Sequence, residues 1–240
     1  MNFWSKAQQN ETDIWLNARQ EPFIALKKRA EIMFNYIYLN NETVLEKMDV
    51  LEIGAAAAPI ITLLPFKSRC AVDPIYNDIK DTIPESFAPK GNDKTYSKPA
   101  ENMDFIQDKT FDTVYCLNVL DHTEHPKKIL TEIYRVMKHD GKALIAVDFF
   151  SAIWLFLRSI RVAITGKKKN DILHPHHFTL SKLVLMLKEA GFNLERGFIA
   201  PGDGFSKSSY YKSESSYPFQ NNFIAKLKSD ARFYVVVTKN

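Results

Sequence analysis

The sequence predicts an α/β fold built on a mostly parallel sheet with helices on both faces. Three observations carry this. Short apolar runs alternate along the chain with segments of helical periodicity, the pattern of strands joined by crossover helices. The first strong run, Val50-Leu51-Glu52-Ile53, passes directly into Gly54, four alanines and Pro59, which reads as strand, tight turn and helix start. The chain has 240 residues, 45% of them hydrophobic, enough for one sizeable core with added segments and not clearly for two domains.

Composition excludes some functions. Net charge is +4 with acids and bases interspersed, whereas a nucleic-acid binder gathers its basic residues into a stripe; the run Lys167-Lys168-Lys169 is the one local exception. The two cysteines, Cys70 and Cys116, each sit in an apolar run and read as small buried hydrophobes, consistent with a reducing cytosol and a cytoplasmic location. The first residues lack an apolar core behind a basic start, so no secretory signal is expected there.

Residues 1–47 read as a helical cap. Asn10 or Thr12 can cap a short helix carrying Ile14, Trp15 and Leu16, and Pro22 suits the first turn of a second. In that second helix Phe23, Leu26, Ala30, Met33, Phe34 and Ile37 recur at three- and four-residue spacing. The cap is expected to pack against the sheet. The competing reading is a cover over a ligand cleft, because Trp4, Trp15 and Tyr36 are large and flat.

The turn after Ile53 lets a ligand approach the backbone at a positive helix end, since only methyls follow Gly54. A helix through Ile60, Ile61, Leu63 and Leu64 is expected, stopped by Pro65. Arg69-Cys70-Ala71-Val72-Asp73-Pro74 is a second strand ending in a carboxylate. In dinucleotide-type folds an acid in this place accepts hydrogen bonds from ribose hydroxyls. Taken alone, Asp73 could equally cap the following helix. Residues 75–98, broken by Pro84, Pro89 and Gly91, suggest a short helix and a loop. Phe111 to Asn118 is a buried strand, Val119 to Thr123 a turn, and Pro126 starts an amphipathic helix ended by His139-Asp140-Gly141. Lys142 to Val147, Phe192 to Ala200 and Phe233 to Thr238 are further strands.

The blocks VLEIGAAAAP, AVDP, AENMDF, FDTVYCLNVLDHTEHPKKILTEIYRVMKHDGKALIAV and HPHHFTLSKLVLMLKEAGF, in this order and spacing, resemble the class I S-adenosylmethionine-dependent methyltransferases. The nearest likeness is to the small-molecule group holding quinone-biosynthesis-type (methyltransferase type 11-like) enzymes. It covers residues 48 to about 200 and is most specific over 111–147. The resemblance implies a Rossmann-like seven-stranded, mostly parallel sheet with the last strand antiparallel. It implies an N-terminal helical cap at 1–47 and a methyltransferase domain at 48–240, with a lid insertion at about 149–177 and a long loop at about 201–222. The implied cofactor is S-adenosylmethionine, with S-adenosylhomocysteine as product, bound at the strands' carboxyl ends.

The resemblance also implies site residues. Glu52, Gly54 and Ala56 would lie by the methionine part, and Asp73 would hold the ribose hydroxyls. Pro74 and Ile75 would sit beside the adenine, flanked by Ala100 and Glu101, and Asn118 would stand near the methionine amino group. Two departures from the family stand out. Ala56 and Ala58 replace the second and third glycines of the usual turn, on the expectation that a helical backbone there suits alanine. Pro99 replaces an acid often found before Ala100.

Methyl transfer from a sulfonium needs positioning and water exclusion, and needs a base only where the acceptor loses a proton. His122, just beyond the fourth strand, and His176, in the loop before a helix, are the candidate bases, with Tyr210 or Tyr211 behind them. The imidazole-rich HPHHF segment lacks further ligands at metal spacing, so no metal is expected. From Phe149 the chain reads as an apolar helix with a narrow stripe of Arg158, Arg161 and Thr165, ended by Gly166 and followed by the lysine run to Lys169; it is too short to cross a bilayer. It is expected to be a lid, with peripheral contact to a membrane or a lipid-linked substrate as the sharper reading. The expected partner is a small acceptor of apolar, lipid-linked or glycan-linked character, and not nucleic acid. The alternative function is a cofactor-binding module without catalysis, acting as partner or regulatory subunit. A nicotinamide dehydrogenase would share the turn and the acid but explains neither the 111–147 block nor AENMDF.

Overall fold

The computed structural model describes residues 3–17, 45–56, 59–85, 87–149, 156, 159–160, 163–164, 176–201 and 231–240. The expected second helix of the cap, most of the lid insertion and nearly all of the 201–222 loop lie outside the described residues. Seven strands form one sheet: β1 (Asp49–Ile53), β2 (Ser68–Val72), β3 (Lys94–Tyr96), β4 (Phe111–Leu117), β5 (Met137–Phe149), β6 (Phe192–Pro201) and β7 (Ala231–Lys239). Their order is β3-β2-β1-β4-β5-β7-β6. The first five strands pair in parallel, and β7 runs antiparallel to both β5 and β6. This is the Rossmann-like arrangement with an antiparallel last strand.

The strands are apolar on both faces because helices or turns cover both. Leu51, Ile53, Val114, Cys116, Ala143, Ile145 and Val147 belong to one buried cluster. Val50, Tyr115, Leu117, Leu144 and Ala146, the alternate positions of the same strands, belong to the other. Two longer helices pack into the first cluster: α3 (Pro126–Val136) through Ile129, Leu130, Ile133 and Val136, and α4 (Leu180–Glu189) through Leu183, Met186 and Leu187. The second cluster is closed by the 3-10 turn Ile60–Leu63 with Leu64 and Phe66. Cys70 and Cys116 are free thiols in the core, and burial pushes both up, Cys70 to about 12.

Several expected boundaries are corrected. The N-terminal helix, α1 (Phe3–Leu16), already includes Asn10 and Thr12, so neither caps it; Thr12 is buried, while Ile14 and Leu16 face solvent. The segment after Pro59 makes only a 3-10 turn, because the Glu52 carboxylate accepts the Ile61 N–H at 3.1 Å and Leu64 is already extended. Within 75–98 the short α2 (Tyr76–Ile79) was expected, but β3 was not: three half-polar residues are too few to display a period. His139-Asp140-Gly141 do not end α3. That helix stops at Val136, where the N–H groups of Lys109 and Thr110 donate to the carbonyls of Arg135 and Val136 at 3.0 and 2.7 Å. Met137–Gly141 are then an irregular start to β5, bulged against Phe111–Thr113. A Cβ at Gly141 would press on the backbone oxygens of Lys138 and Asp112, so only glycine fits this crossing.

Candidate functional site

The carboxyl ends of β1, β2 and β4 open into one cavity, and α1 lies across it. Its lining is mostly apolar with a few polar groups, the character of a small-molecule site. Gly54 forms its floor. It has φ +72°, and its N–H donates to Val72 O at 2.9 Å, which ties the turn to β2. A Cβ at Gly54 would overlap a methyl of Val119 in the turn after β4. The backbone therefore approaches the cavity as closely as any residue type allows.

Ala56 continues the turn at φ +44°, in the left-handed region and not in the helical conformation expected for it. Its N–H donates to Asp73 Oδ2 at 2.8 Å, and the Ile75 N–H donates to Asp73 Oδ1 at 3.0 Å. Asp73, at the end of β2, thus clamps two turns with its two oxygens while lining the cavity. Burial pushes its carboxyl up to about 6, against the pull of those two N–H groups; Glu11 of α1 adds a further upward push.

Ala100 and Glu101 reach the cavity from the loop after β3. That loop is held from behind: Arg135 of α3 donates to the carbonyls of Met103 and Ile106 at 2.7 and 2.8 Å, and Glu132 accepts the Met103 N–H at 2.7 Å. Beyond β4, Asn118 stands at φ +62°, its N–H bonded to Ala146 O at 2.8 Å. Its side-chain Nδ2 lies 3.3 Å from His122 Nε2, and Asp121 Oδ2 lies 3.6 Å from the same nitrogen. Asn118 Oδ1 and Glu101 Oε1 are buried acceptors without a partner among the described residues.

Of the residues singled out in the sequence, Gly54, Ala56, Asp73, Pro74, Ala100, Glu101, Asn118 and His122 line this one cavity, as do Ile75 and Pro99. Glu52 is buried directly behind it, with its carboxylate turned to Ile61 N–H. His176 lies outside the lining, its ring nitrogen 3.2 Å from Glu124 O and its N–H 3.4 Å from Asp121 O. Ala58, Tyr210 and Tyr211 are outside the described residues. Among the described residues no cluster of His, Cys, Asp and Glu has the form of a metal site.

Sequence reasoning named Trp4 for the competing reading of a cover over a ligand cleft, and did not reach its α1 neighbours Ala7, Gln8 and Glu11. These fall on one stripe of α1 and face the cavity. The signal was present: positions 4, 7, 8 and 11 have the spacing of one helix face, but mixed chemistry hid it.

A family model described as "Methyltransferase domain" matches residues 26–196. No curated protein matches the chain in sequence. Solved structures with the same fold include a provisionally named sarcosine dimethylglycine methyltransferase from Galdieria sulphuraria (16% identity, 97% of each chain covered, TM-score 0.63). A second is an S-adenosylmethionine-dependent methyltransferase from Methanosarcina mazei (15% identity, 87% of this chain and 96% of that one, TM-score 0.53). A third is an arsenic(III) S-adenosylmethionine methyltransferase from Chlamydomonas reinhardtii (14% identity, 82% of this chain and 64% of that one, TM-score 0.54). At such identities the likeness is one of fold.

Proposed function

Because this chain belongs to the methyltransferase-domain family, we propose that the cavity binds S-adenosylmethionine and that the protein methylates a small acceptor. One observation carries the reading: a glycine floor that no Cβ can enter lies in the same cavity as two buried acceptors without a partner among the described residues, Asn118 Oδ1 and Glu101 Oε1. A cofactor with an ammonium, a ribose diol and an adenine amino group brings the donors that such acceptors need. The residues present fit it. Gly54 and Asn118 would hold the methionine end, Asp73 the ribose hydroxyls, and Ile75, Ala100 and Glu101 the adenine.

When bound, S-adenosylmethionine supplies a methyl on a strong leaving group, suited to in-line displacement. The chain's task is to orient the acceptor, exclude water and take up a proton where one is released. His122 is the base we assign. Its Nε2 lies 3.3 Å from Asn118 Nδ2 and 3.6 Å from Asp121 Oδ2, and a proton taken up by the ring would be stabilised by that carboxylate.

Calorimetry with S-adenosylmethionine, followed by labelled-methyl transfer to a cell extract, tests the reading. We expect binding, and label in a small-molecule or lipid fraction. Absence of binding at millimolar cofactor would sink it, and binding without turnover on any acceptor pool would favour the non-catalytic module. His122→Gln should leave cofactor affinity within about twofold and lower turnover by about 100-fold for an acceptor that loses a proton.

An apolar or lipid-linked acceptor is the finer part of the proposal. Phe156, Ile160 and Ile164 are exposed and recur every four residues, and Lys167-Lys168-Lys169 follows in the sequence. Such a face suits an anionic membrane surface. Among the described residues no helix is long and apolar enough to cross a membrane. Co-sedimentation with anionic but not zwitterionic vesicles, lost on Phe156→Ser/Ile164→Ser, is the expected result; equal recovery with and without vesicles would refute it.

A further inference from the structure

Among the described residues three carboxylates line the cavity, Glu11, Asp73 and Glu101, and no lysine or arginine does. The bias toward negative charge matters because donor and product differ in charge. S-adenosylmethionine carries a sulfonium, an ammonium and a carboxylate and is a net cation. S-adenosylhomocysteine has lost the sulfonium charge with the methyl and is net neutral. A uniform hydrogen-bonding site cannot tell the two apart; an excess of carboxylates can.

Of the three, Asp73 has both oxygens occupied by the N–H groups of Ala56 and Ile75, and its burial disfavours the charged form. Glu101 has a buried oxygen with no partner among the described residues. Glu11 differs from both in origin and in support. It comes from α1, on the stripe of Trp4, Ala7 and Gln8 that faces the cavity, and is only partly exposed. Its Oε1 accepts the Trp15 indole N–H at 3.2 Å, one turn on. Trp15 in turn packs on Ala56, Ile75 and Ile79, the apolar cluster beside the glycine turn and the end of β2. The indole thus fixes α1 to the cavity rim and aims the Glu11 carboxylate at the same time.

We propose that Glu11 is a specificity-determining residue that makes the site prefer the cationic methyl donor over its neutral product. The inference rests on the cofactor reading above. Glu11 and Asp73 repel across the cavity, and a cation bound between them converts that repulsion into attraction. Loss of the methyl returns the repulsion, so the site releases its product more readily than it accepts its donor. Trp15 acts here as a positioning residue.

The test is calorimetric titration of the full chain and of Glu11→Gln with S-adenosylmethionine and with S-adenosylhomocysteine, at low and at moderate salt. Glutamine keeps the length and the oxygen that accepts from Trp15, so only the charge is removed. Glu11→Gln should bind the donor about five- to tenfold more weakly and the product within about twofold of the original. Its donor-to-product ratio should also depend less on salt. Gln8→Glu, which adds a carboxylate one turn earlier on the same stripe, should raise the ratio. Equal loss of both ligands, or no change in either, would overturn the role of Glu11 while leaving the cofactor site intact. A protein that binds neither ligand in its original form would overturn the cofactor reading itself. Amide exchange of residues 3–17 gives a readout independent of turnover: the donor should protect α1 more than the product does, and by less in Glu11→Gln.

Discussion

Gly54 and Ala56 stand two residues apart in one turn, both at positive φ, and only one of them is glycine. Glycine is required at 54 twice over, by its backbone and by the methyl of Val119 that a Cβ would meet. Gly54→Ala should cost about 2 kcal/mol or more and abolish cofactor binding by calorimetry; adding Val119→Ala should recover part of the stability. At Ala56 the left-handed backbone stores about 1 kcal/mol of strain. Ala56→Gly relieves it, offset in part by the freer unfolded chain, so thermal denaturation should show near-neutral to slightly higher stability, on the order of 0.5 kcal/mol, with cofactor binding kept or tightened. Asp73 makes the sharpest prediction. Its folded carboxyl is raised from 3.8 to about 6, so between those values the folded state holds more of the proton than the unfolded one. Stability from this group is full below about pH 4 and falls as pH rises through about 6, by about 3 kcal/mol in all. Denaturant titrations across pH 4 to 7 should show this slope in the original chain and lose it in Asp73→Asn.

At the level of elements, the loop carrying Ala100 and Glu101 has little regular structure of its own. Arg135 supplies its order, donating to Met103 O, Ile106 O, Asp108 and Glu132 from the last turn of α3. Arg135→Met should take the donor from Ile106 O and from Asp108 and one of two donors from Met103 O, and cost about 2–3 kcal/mol. Amide exchange should rise over residues 101–108, and cofactor affinity should fall although residue 135 lies outside the cavity. If affinity is unchanged, the loop is held by other means. A second tie joins β5 to β7, where Arg232 meets both oxygens of Asp148 at 2.6 and 2.9 Å on paired positions of the ladder. This bidentate pair pins the antiparallel strand in register.

For the whole molecule, ligand and fold are linked. A cofactor that binds only the folded chain at 100 times its dissociation constant adds about 2.7 kcal/mol. For a chain of this size that is a rise in melting temperature of roughly 5–10 °C. Thermal scans with S-adenosylmethionine should show it, and scans with NAD should not. A shift with NAD alone would revive a dehydrogenase reading. At Ala56 the fold overrides local preference: its N–H is held by Asp73 and its side chain packs with Ile75, Ile79 and Trp15.

The sequence by itself determined the alternation of strand and helix, the position of β1, β2, β4 and β7, and the glycine turn and strand-end acid at Gly54 and Asp73. It could do so because burial on both faces writes long apolar runs, and because Gly54 and Asp73 need a residue type that few others replace. It left β3 unseen, since three residues have no period. It put the end of α3 too late, since the helix is stopped by the distant Lys109 and Thr110 N–H groups and by no local breaker. It expected a helical backbone at Ala56, where the carboxylate of Asp73, 17 positions away, holds a left-handed one. Only the tertiary structure laid α1 across the cavity and brought Glu11 to the same space as Asp73. A helix shows its faces in its sequence, but what each face meets is decided by packing, which joins residues far apart in the chain.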